Sequence, residues 1–175
     1  IVHPDNVYAF LSNRMWQTTG DISKDLNFIS DIKGASLQYD DRGLHIILPA
    51  QVLFESGASA LKDDALNSVR QIGAFLYENK ADFIIEGHTD NRPIRSSEFP
   101  SNWELSVARA AAVMHFFYDT CGIDYAFMSI AGFGEYRPVA ANDTEEGREQ
   151  NRRVEIVVLG KKIERKRAAS AAVFK

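Results

Sequence analysis

The segment from Gly87 to Arg109 contains the residues whose types and spacing could do chemistry. Asp90 follows an apolar run, and Arg109 lies in a segment that begins with helix-capping residues. If the two side chains flank one cleft, they can bind a zwitterion, because the carboxylate attracts an ammonium and the guanidinium fork binds a carboxylate bidentately. An ordinary salt bridge between Asp90 and Arg109 is the alternative interpretation of the same spacing.

A strand and a helix are predicted to position these residues. The run from Ala81 to Glu86 is rich in β-branched and aromatic residues, which is typical of a partly buried strand. Thr89 and Asp90 then fall at or just past the C-terminal end of that strand. Downstream, Ser101 is followed three residues later by Glu104, a pattern that predicts a capping box at the start of a helix.

The predicted helix runs from Asn102 to about Thr120. On a helix with about 3.6 residues per turn, Asn102, Leu105 and Arg109 lie on neighbouring ridges of one face. Arg109 is then about two turns along from the loop that carries Asp90. The sequence therefore predicts that the guanidinium and the carboxylate share a cleft at this end of the helix.

The rest of the central region predicts one further helix and three further strands. The strands are Leu44 to Leu48, Phe127 to Ala131 and Val154 to Leu159, and the amphipathic helix is Leu61 to Tyr77. The resulting order, β-α-β-α-β-β, predicts an α+β fold with two layers. In this sandwich the helices cover one face of a mixed sheet.

The two ends of the chain differ in character from this central domain, which is predicted to span residues 35–160. Residues 1–34 predict a helical linker region, with Asp21 capping a second segment in which Ile22, Leu26 and Ile29 recur at helical spacing. Residues 161–175 form a basic segment that we interpret as a disordered, solvated tail.

Composition limits the class of protein. The 175 residues are 45% hydrophobic and 25% charged, which suits one globular domain with appended segments. The net charge of −4, without a basic stripe in the centre of the chain, argues against nucleic acid as the main partner. No apolar run approaches the roughly 18 residues of a membrane span. Because the chain opens on Ile1, we expect that it is a fragment whose membrane anchor lies upstream.

Four segments, in the order GHTD, NWELSVARA, GFGEYRP and NRRVEI, resemble the OmpA C-terminal-like peptidoglycan-binding domain. The variant PSNWELS is most similar to the MotB and PomB group of flagellar stator proteins, and the resemblance extends from about Leu37 to Leu159. It implies a domain that binds the cell wall noncovalently, needs no cofactor and catalyses no reaction. It also implies that the domain is the periplasmic part of an inner-membrane protein with one span.

The resemblance also implies a ligand, partners and site residues. The ligand would be the diaminopimelate of the peptidoglycan peptide stem, with Asp90 as the ammonium-binding aspartate and Arg109 as the carboxylate-binding arginine. Supporting cleft positions would be Thr89, Asn102, Leu105 and Arg152. A homodimer and a MotA/PomA-type membrane subunit would be the protein partners. The loop from Asn91 to Phe99 is longer than in many members of the family, which affects how closely the cleft geometry can be carried over.

Two other functions remain open at this point. One is a general outer-membrane or secretion-system anchor to the cell wall, and the other is a metal-dependent amidase acting on the same polymer. His88 and Asp90, two residues apart at a strand end, could supply metal ligands or an acid–base pair. The chain has four histidines, however, and contains no H-x-x-x-H or C-x-x-C spacing that would complete a metal site. We therefore predict that the chain holds no metal.

Overall fold

A five-stranded mixed sheet forms the centre of the computed structural model, which describes residues 26–94 and 96–159. Along the sheet the strands follow the order β1-β2-β5-β3-β4; β3 and β4 are parallel, and each other neighbouring pair is antiparallel. The strands are β1 (Ser36–Tyr39), β2 (Gly43–Pro49), β3 (Phe83–His88), β4 (Met128–Gly132) and β5 (Arg153–Leu159).

Helices pack on one face of this sheet. The α-helices are α1 (Ala50–Leu53), α2 (Leu66–Glu78), α3 (Asn102–Cys121) and α4 (Glu145–Asn151). Helix α3 contacts β3, β4 and α2, and an edge-to-face contact between Phe83 and Phe117, with ring centroids 5.8 Å apart, joins the helix layer to the sheet. The predicted α+β class and two-layer arrangement are confirmed.

Three details differ from the predicted order of elements. Strand β1 and the short helices α1 and α4 were not predicted. The second helix begins at Leu66 rather than at Leu61, because Asp63–Ala65 first forms a 3-10 turn. Helix α3, by contrast, runs from Asn102 to Cys121, within one residue of its predicted end.

The two faces of the sheet carry different side chains. Alternation along β2 and β5 directs Ile46, Val154 and Ile156 into the core, where their exposure is 0%. The opposite face carries buried charged residues, among them Glu86 and Glu155, which lie directly across from each other on β3 and β5. Two carboxylates in this arrangement repel each other unless cations compensate them, and neighbouring arginines do so here.

Gly87 lets α3 approach the sheet closely. A Cβ atom at position 87 would lie 2.0 Å from the backbone oxygen of Ser106 on α3, so no side chain fits. Ser101 caps the helix by accepting a hydrogen bond from the Trp103 amide at 3.1 Å, and its hydroxyl donates to the Glu104 carboxylate. These two features fix where the first turns of α3 lie relative to the end of β3.

The described part of the N-terminal region joins the core. Leu26, Ile29 and Ile32 are buried within the same apolar cluster as the sheet, and Asn27–Asp31 forms a 3-10 helix. The predicted first helical segment, the Asp21 cap and residues 161–175 lie outside the described residues. Across 26–94 and 96–159, no helix is both long enough and apolar enough to cross a membrane.

Candidate functional site

One cleft of about 500 Å³ contains all six residues that the sequence singled out. It lies between the N-terminal half of α3, the loop after β3 and the segment that follows α1. Those six residues are Thr89, Asp90, Asn102, Leu105, Arg109 and Arg152.

Asp90 is held in the cleft by its own loop and by Arg152. Its Oδ1 atom accepts a hydrogen bond from the Arg92 amide at 3.0 Å, which closes a tight turn directly after the strand. Its Oδ2 atom accepts a hydrogen bond from Nη1 of Arg152 at 2.6 Å. The ion pair of Asp90 is therefore made with Arg152, and the alternative of a simple Asp90–Arg109 salt bridge is wrong.

Asn102, the first residue of α3, ties the helix to the Asp90 loop. Its Nδ2 atom donates to the Arg92 carbonyl at 2.9 Å, to the Asp90 carbonyl at 3.3 Å and to the Glu135 carboxylate at 2.9 Å. Thr89 is fixed from the other side, since its amide donates to the Gly134 carbonyl at 2.9 Å. The loop therefore has a defined position before any ligand arrives.

Arg109 is buried at 5% exposure in the wall opposite the Asp90 loop. Its Nε atom donates to the Ala58 carbonyl at 2.8 Å, Nη2 donates to the Glu55 carbonyl at 3.4 Å, and the guanidinium lies 5.0 Å from the ring centroid of Phe54. Among the described residues, Arg109 pairs with no carboxylate. Burial, helped by the charge of Arg152 and opposed by that of Asp90, lowers the pKa of Arg109 to about 10, so the group stays charged at neutral pH.

An ion-pair network closes the side of the cleft next to α4. Glu145 accepts hydrogen bonds from Arg152 at 2.9 Å, from Arg92 at 2.5 Å and from Arg148 at 2.9 Å. The bonds from Arg152 and Arg148 lower the pKa of Glu145 to about 2. Burial alone would lower the pKa of Arg152, but its bonds to Asp90 and Glu145 outweigh burial and raise it.

The long loop after Asp90 forms part of the cleft wall. Pro93 and Ile94 line the cleft, and Ile94 approaches Gly57 on the opposite rim. Phe99 is buried at 5% exposure, which anchors the end of the loop in the domain, and its amide donates to Oγ of Ser96 at 2.9 Å within the loop. The long loop therefore adds an apolar wall to the cleft.

Several cleft residues escaped the sequence analysis. Glu145 and the carbonyls of Glu55 and Ala58 belong to segments outside the Gly87 to Arg109 segment. A backbone carbonyl is present in every residue, so its role as an acceptor cannot be predicted from the residue type. Phe54 carried a weak signal, as an aromatic residue at the end of an apolar run. The short capped helix that begins with Glu145 could have been found from Thr144, whose hydroxyl accepts from the Gly147 amide at 3.1 Å.

A second depression, of about 600 Å³, lies beside β1, β2 and α4. The buried cation on its wall, Arg153, already has a partner, since its Nε donates to Glu155 at 2.6 Å. The 500 Å³ cleft is lined by Arg109, a buried cation that pairs with no carboxylate among the described residues. We therefore assign the functional site to this cleft.

A buried polar cluster on the face of the sheet opposite the apolar core holds a group of three potential metal-ligating side chains among the described residues. Ligand atoms of Glu86, His88 and Glu155 lie within 4.8 Å of one another. Arg42 already pairs with Glu86, and Glu155 binds both Arg153 and Nδ1 of His45, the latter at 2.9 Å. The two carboxylates are thus compensated by protein cations, and the group fits a metal ion poorly.

His88 and Asp90 do not form a joint site. His88 is 2% exposed and stacks on Phe133 with ring centroids 5.3 Å apart, whereas Asp90 lines the cleft. Burial, followed by the charge of Arg153, lowers the pKa of His88 to about 3, so its ring is neutral at physiological pH. His88 and Asp90 therefore do not form the acid–base pair that their spacing in the sequence allowed.

The arrangement in the cleft is suited to binding a small charged group. On one wall Arg109 offers a guanidinium that no carboxylate of the described residues binds, and on the other Asp90 offers a carboxylate. Leu105 and Ile94 add apolar surface. A ligand end with adjacent carboxylate and ammonium groups is complementary to both walls.

A family model for the OmpA family matches residues 53–152. That interval covers more than half of the chain and includes every cleft residue predicted from the sequence.

Individual proteins of this type are similar over comparable lengths. Motility protein B of Bacillus subtilis is 42% identical over 118 residues, which cover 67% of this chain and 45% of the relative. The cell wall anchor of the T6SS from Pseudomonas aeruginosa superposes with a TM-score of 0.73 at 31% identity, covering 80% of this chain and 97% of the other. The periplasmic domain of Helicobacter pylori MotB gives a TM-score of 0.67 at 28% identity, with 73% and 83% covered. The chain spans about half the length of the curated relatives it matches first.

Proposed function

The chain belongs to the OmpA family, and on that premise we propose that its cleft binds the peptide stem of peptidoglycan without cleaving it. Arg109 is the observation that carries the proposal: a buried guanidinium that lines a cleft and pairs with no carboxylate among the described residues. A ligand carboxylate would stabilise such a cation strongly, because little water competes for it at 5% exposure.

Diaminopimelate is the part of the stem that fits this cleft. Its side chain ends in a carbon that carries both an ammonium and a carboxylate. In our proposal the carboxylate binds Arg109, and the ammonium binds Asp90, which retains its contact with Arg152. Thr89, Asn102 and Leu105 support the site by fixing the loop and by contributing apolar wall.

The similarity to Motility protein B supports a place for this domain in a flagellar stator. The domain would then be the periplasmic part of an inner-membrane protein with one span, and it would hold the stator to the cell wall. In this proposal the whole protein is a homodimer and works with a MotA/PomA-type membrane subunit. Light scattering on the whole protein tests this proposal, because a homodimer should have twice the mass of the monomer.

The T6SS cell wall anchor favours a second candidate function, because it superposes with a TM-score of 0.73. Under this candidate the same cleft binds the same polymer, but the domain holds a secretion system or the outer membrane. Deleting the gene separates the two candidates. Loss of swimming with normal flagellar filaments supports the stator, and normal swimming supports the second candidate.

Co-sedimentation with purified peptidoglycan sacculi tests the binding proposal. The wild-type domain should pellet with the sacculi, and Arg109→Ala should remain in the supernatant. Truncation of one partner of a buried charge pair costs roughly 2–5 kcal/mol, which corresponds to at least about a 30-fold loss of affinity. Lysine at position 109 should restore binding only weakly, since an ammonium lacks the bidentate fork.

Arg70→Ala is the matched control, because it removes the same charge from the surface of α2, where Arg70 lies over the ring of Phe116. It should pellet like the wild type. A folded Arg109→Ala domain that pellets as well as Arg70→Ala would show that the cleft has been assigned wrongly.

A further inference from the structure

An exposed aromatic pair lies beside the cleft but outside its lining. Trp103 is 48% exposed and Tyr136 is 72% exposed, and their ring centroids are 5.8 Å apart. Aromatic rings of this size bury large apolar areas when a partner covers them, and their exposure side by side marks a candidate contact surface. We call these two side chains the aromatic platform.

The aromatic platform is tied to the cleft by a hydrogen bond. Asn102 lines the cleft and precedes Trp103 on the first turn of α3. Its Nδ2 atom donates to Oε2 of Glu135 at 2.9 Å, and Glu135 precedes Tyr136. The bond therefore links both aromatic residues to the cleft through their chain neighbours, Asn102 and Glu135.

A carboxylate adjoins each ring of the platform in the chain. Glu104 lies on the exposed surface one residue beyond Trp103 and accepts a bond from the Ser101 hydroxyl. Glu135, next to Tyr136, supplies a second carboxylate, which accepts a hydrogen bond from the cleft residue Asn102. A surface that combines flat aromatic rings with carboxylates is complementary to a sugar ring, which presents C–H groups on its faces and hydroxyl donors around its edge.

We propose that the aromatic platform binds a sugar ring of the glycan strand whose peptide stem occupies the cleft. This inference rests on the proposed function, because it takes the cleft ligand to be a stem peptide joined to a glycan. In such a stem, two residues and the diaminopimelate side chain separate the bound carbon from the sugar, a distance on the order of 15 Å when the stem is extended. Trp103 follows the cleft residue Asn102 directly in the chain, so the sugar of a bound stem can reach the aromatic platform.

A second aromatic pair in the described part of the chain provides a matched control. Tyr118 and Tyr125 stack with centroids 4.1 Å apart and are 45% and 41% exposed. They lie near the C-terminal end of α3, the opposite end from the cleft. Substitution of Tyr125 removes a comparable exposed ring without touching the aromatic platform.

Calorimetric titration with two soluble ligands tests the inference. One ligand is the diaminopimelate tripeptide alone, and the other is the same tripeptide attached to its disaccharide. The wild-type domain should bind the disaccharide form about five- to tenfold more tightly, which is the scale of one aromatic contact. Tyr136→Ala and Trp103→Ala should each remove most of this gain, keep the tripeptide affinity within about twofold and unfold at wild-type urea concentrations. Tyr125→Ala should keep the gain.

The inference is overturned if the wild type binds both ligands equally, or if the gain survives in both Tyr136→Ala and Trp103→Ala. It is also overturned if Tyr125→Ala loses the gain to the same extent as those variants. Failure of the proposed function has a different signature, namely a tripeptide affinity that does not change in Arg109→Ala.

Discussion

The Asp90 carboxylate accepts a hydrogen bond from Arg152 at 2.6 Å, although the two are 62 positions apart in the chain. Arg152 also donates to Glu145 at 2.9 Å, so it has a second carboxylate to hold it if a ligand ammonium reaches Asp90. Arg109, in the same cleft, is bound only by backbone carbonyls and an aromatic ring among the described residues. The cleft thus keeps one arginine engaged and leaves the other available to an anion.

Arg152→Ala should lower the free energy of unfolding by about 1–3 kcal/mol, because it leaves the buried Asp90 carboxylate without its charged partner. Arg92→Ala provides the comparison, since Arg92 pairs with the same Glu145 but its side chain is 61% exposed. An exposed pair of that kind contributes little, and we expect a change below about 0.5 kcal/mol. Urea denaturation measures both values, and equal losses would contradict the structural role given to Arg152.

Stability should fall as the pH drops from about 4.5 to about 2, in part because of Glu155. Burial alone would raise the pKa of Glu155, but the hydrogen bond from His45 and the charge of Arg153 outweigh it and lower that pKa to about 2 from 4.5. Between these values the unfolded chain binds a proton that the native state does not, so stability rises with pH across this window.

Glu155→Gln should therefore flatten the dependence of the urea midpoint on pH over this acidic range, even though the variant is less stable at neutral pH. Glu78→Gln, on the C-terminal turn of α2, serves as the control and should keep the wild-type slope. An unchanged slope in Glu155→Gln would mean that Glu155 does not contribute to acid unfolding.

Gly87→Ala should destabilise the domain by about 3 kcal/mol, because the new methyl group meets the Ser106 backbone oxygen and a backbone atom cannot turn aside. Gly122→Ala gives the contrast. Its Cβ would meet no atom within 4 Å, and only the positive φ of 70° opposes it, at a cost of about 1 kcal/mol. If the two substitutions cost the same, close approach is not the reason for glycine at position 87.

Local signals were sufficient to predict the elements that carry the site. The apolar run before Thr89 predicted β3, and the cap at Ser101 predicted the start of α3, because both depend on residues adjacent in the chain. Helical spacing then placed Arg109 on the same face as Asn102. These three inferences account for the two main walls of the cleft.

Long-range features could not be predicted in the same way. The position of β5 between β2 and β3 depends on pairing between distant strands, and so does the contact between Arg152 and Asp90. Strand β1 has only four residues, and α4, with the sequence EEGREQN, has no apolar periodicity. Caps and tertiary contacts determine these elements, and residue patterns reveal such contacts poorly.

The most direct test of the central claim compares two tripeptides that differ at one carbon. One ends in diaminopimelate, and the other has lysine at that place, which keeps the ammonium but lacks the carboxylate. Calorimetry with both peptides on the wild type and on Arg109→Ala then gives a double-mutant cycle. The substitution removes the guanidinium, and the change of peptide removes the ligand carboxylate that the guanidinium would bind.

We predict that the wild type binds the diaminopimelate peptide at least about 30-fold more tightly than the lysine peptide, and that Arg109→Ala binds the two with similar affinity. Arg109→Ala also removes the donor to the Ala58 and Glu55 carbonyls, so urea denaturation should show a domain that folds but is about 1–3 kcal/mol less stable than the wild type. A wild-type domain that does not distinguish the peptides, or an Arg109→Ala domain that still does, would contradict the account.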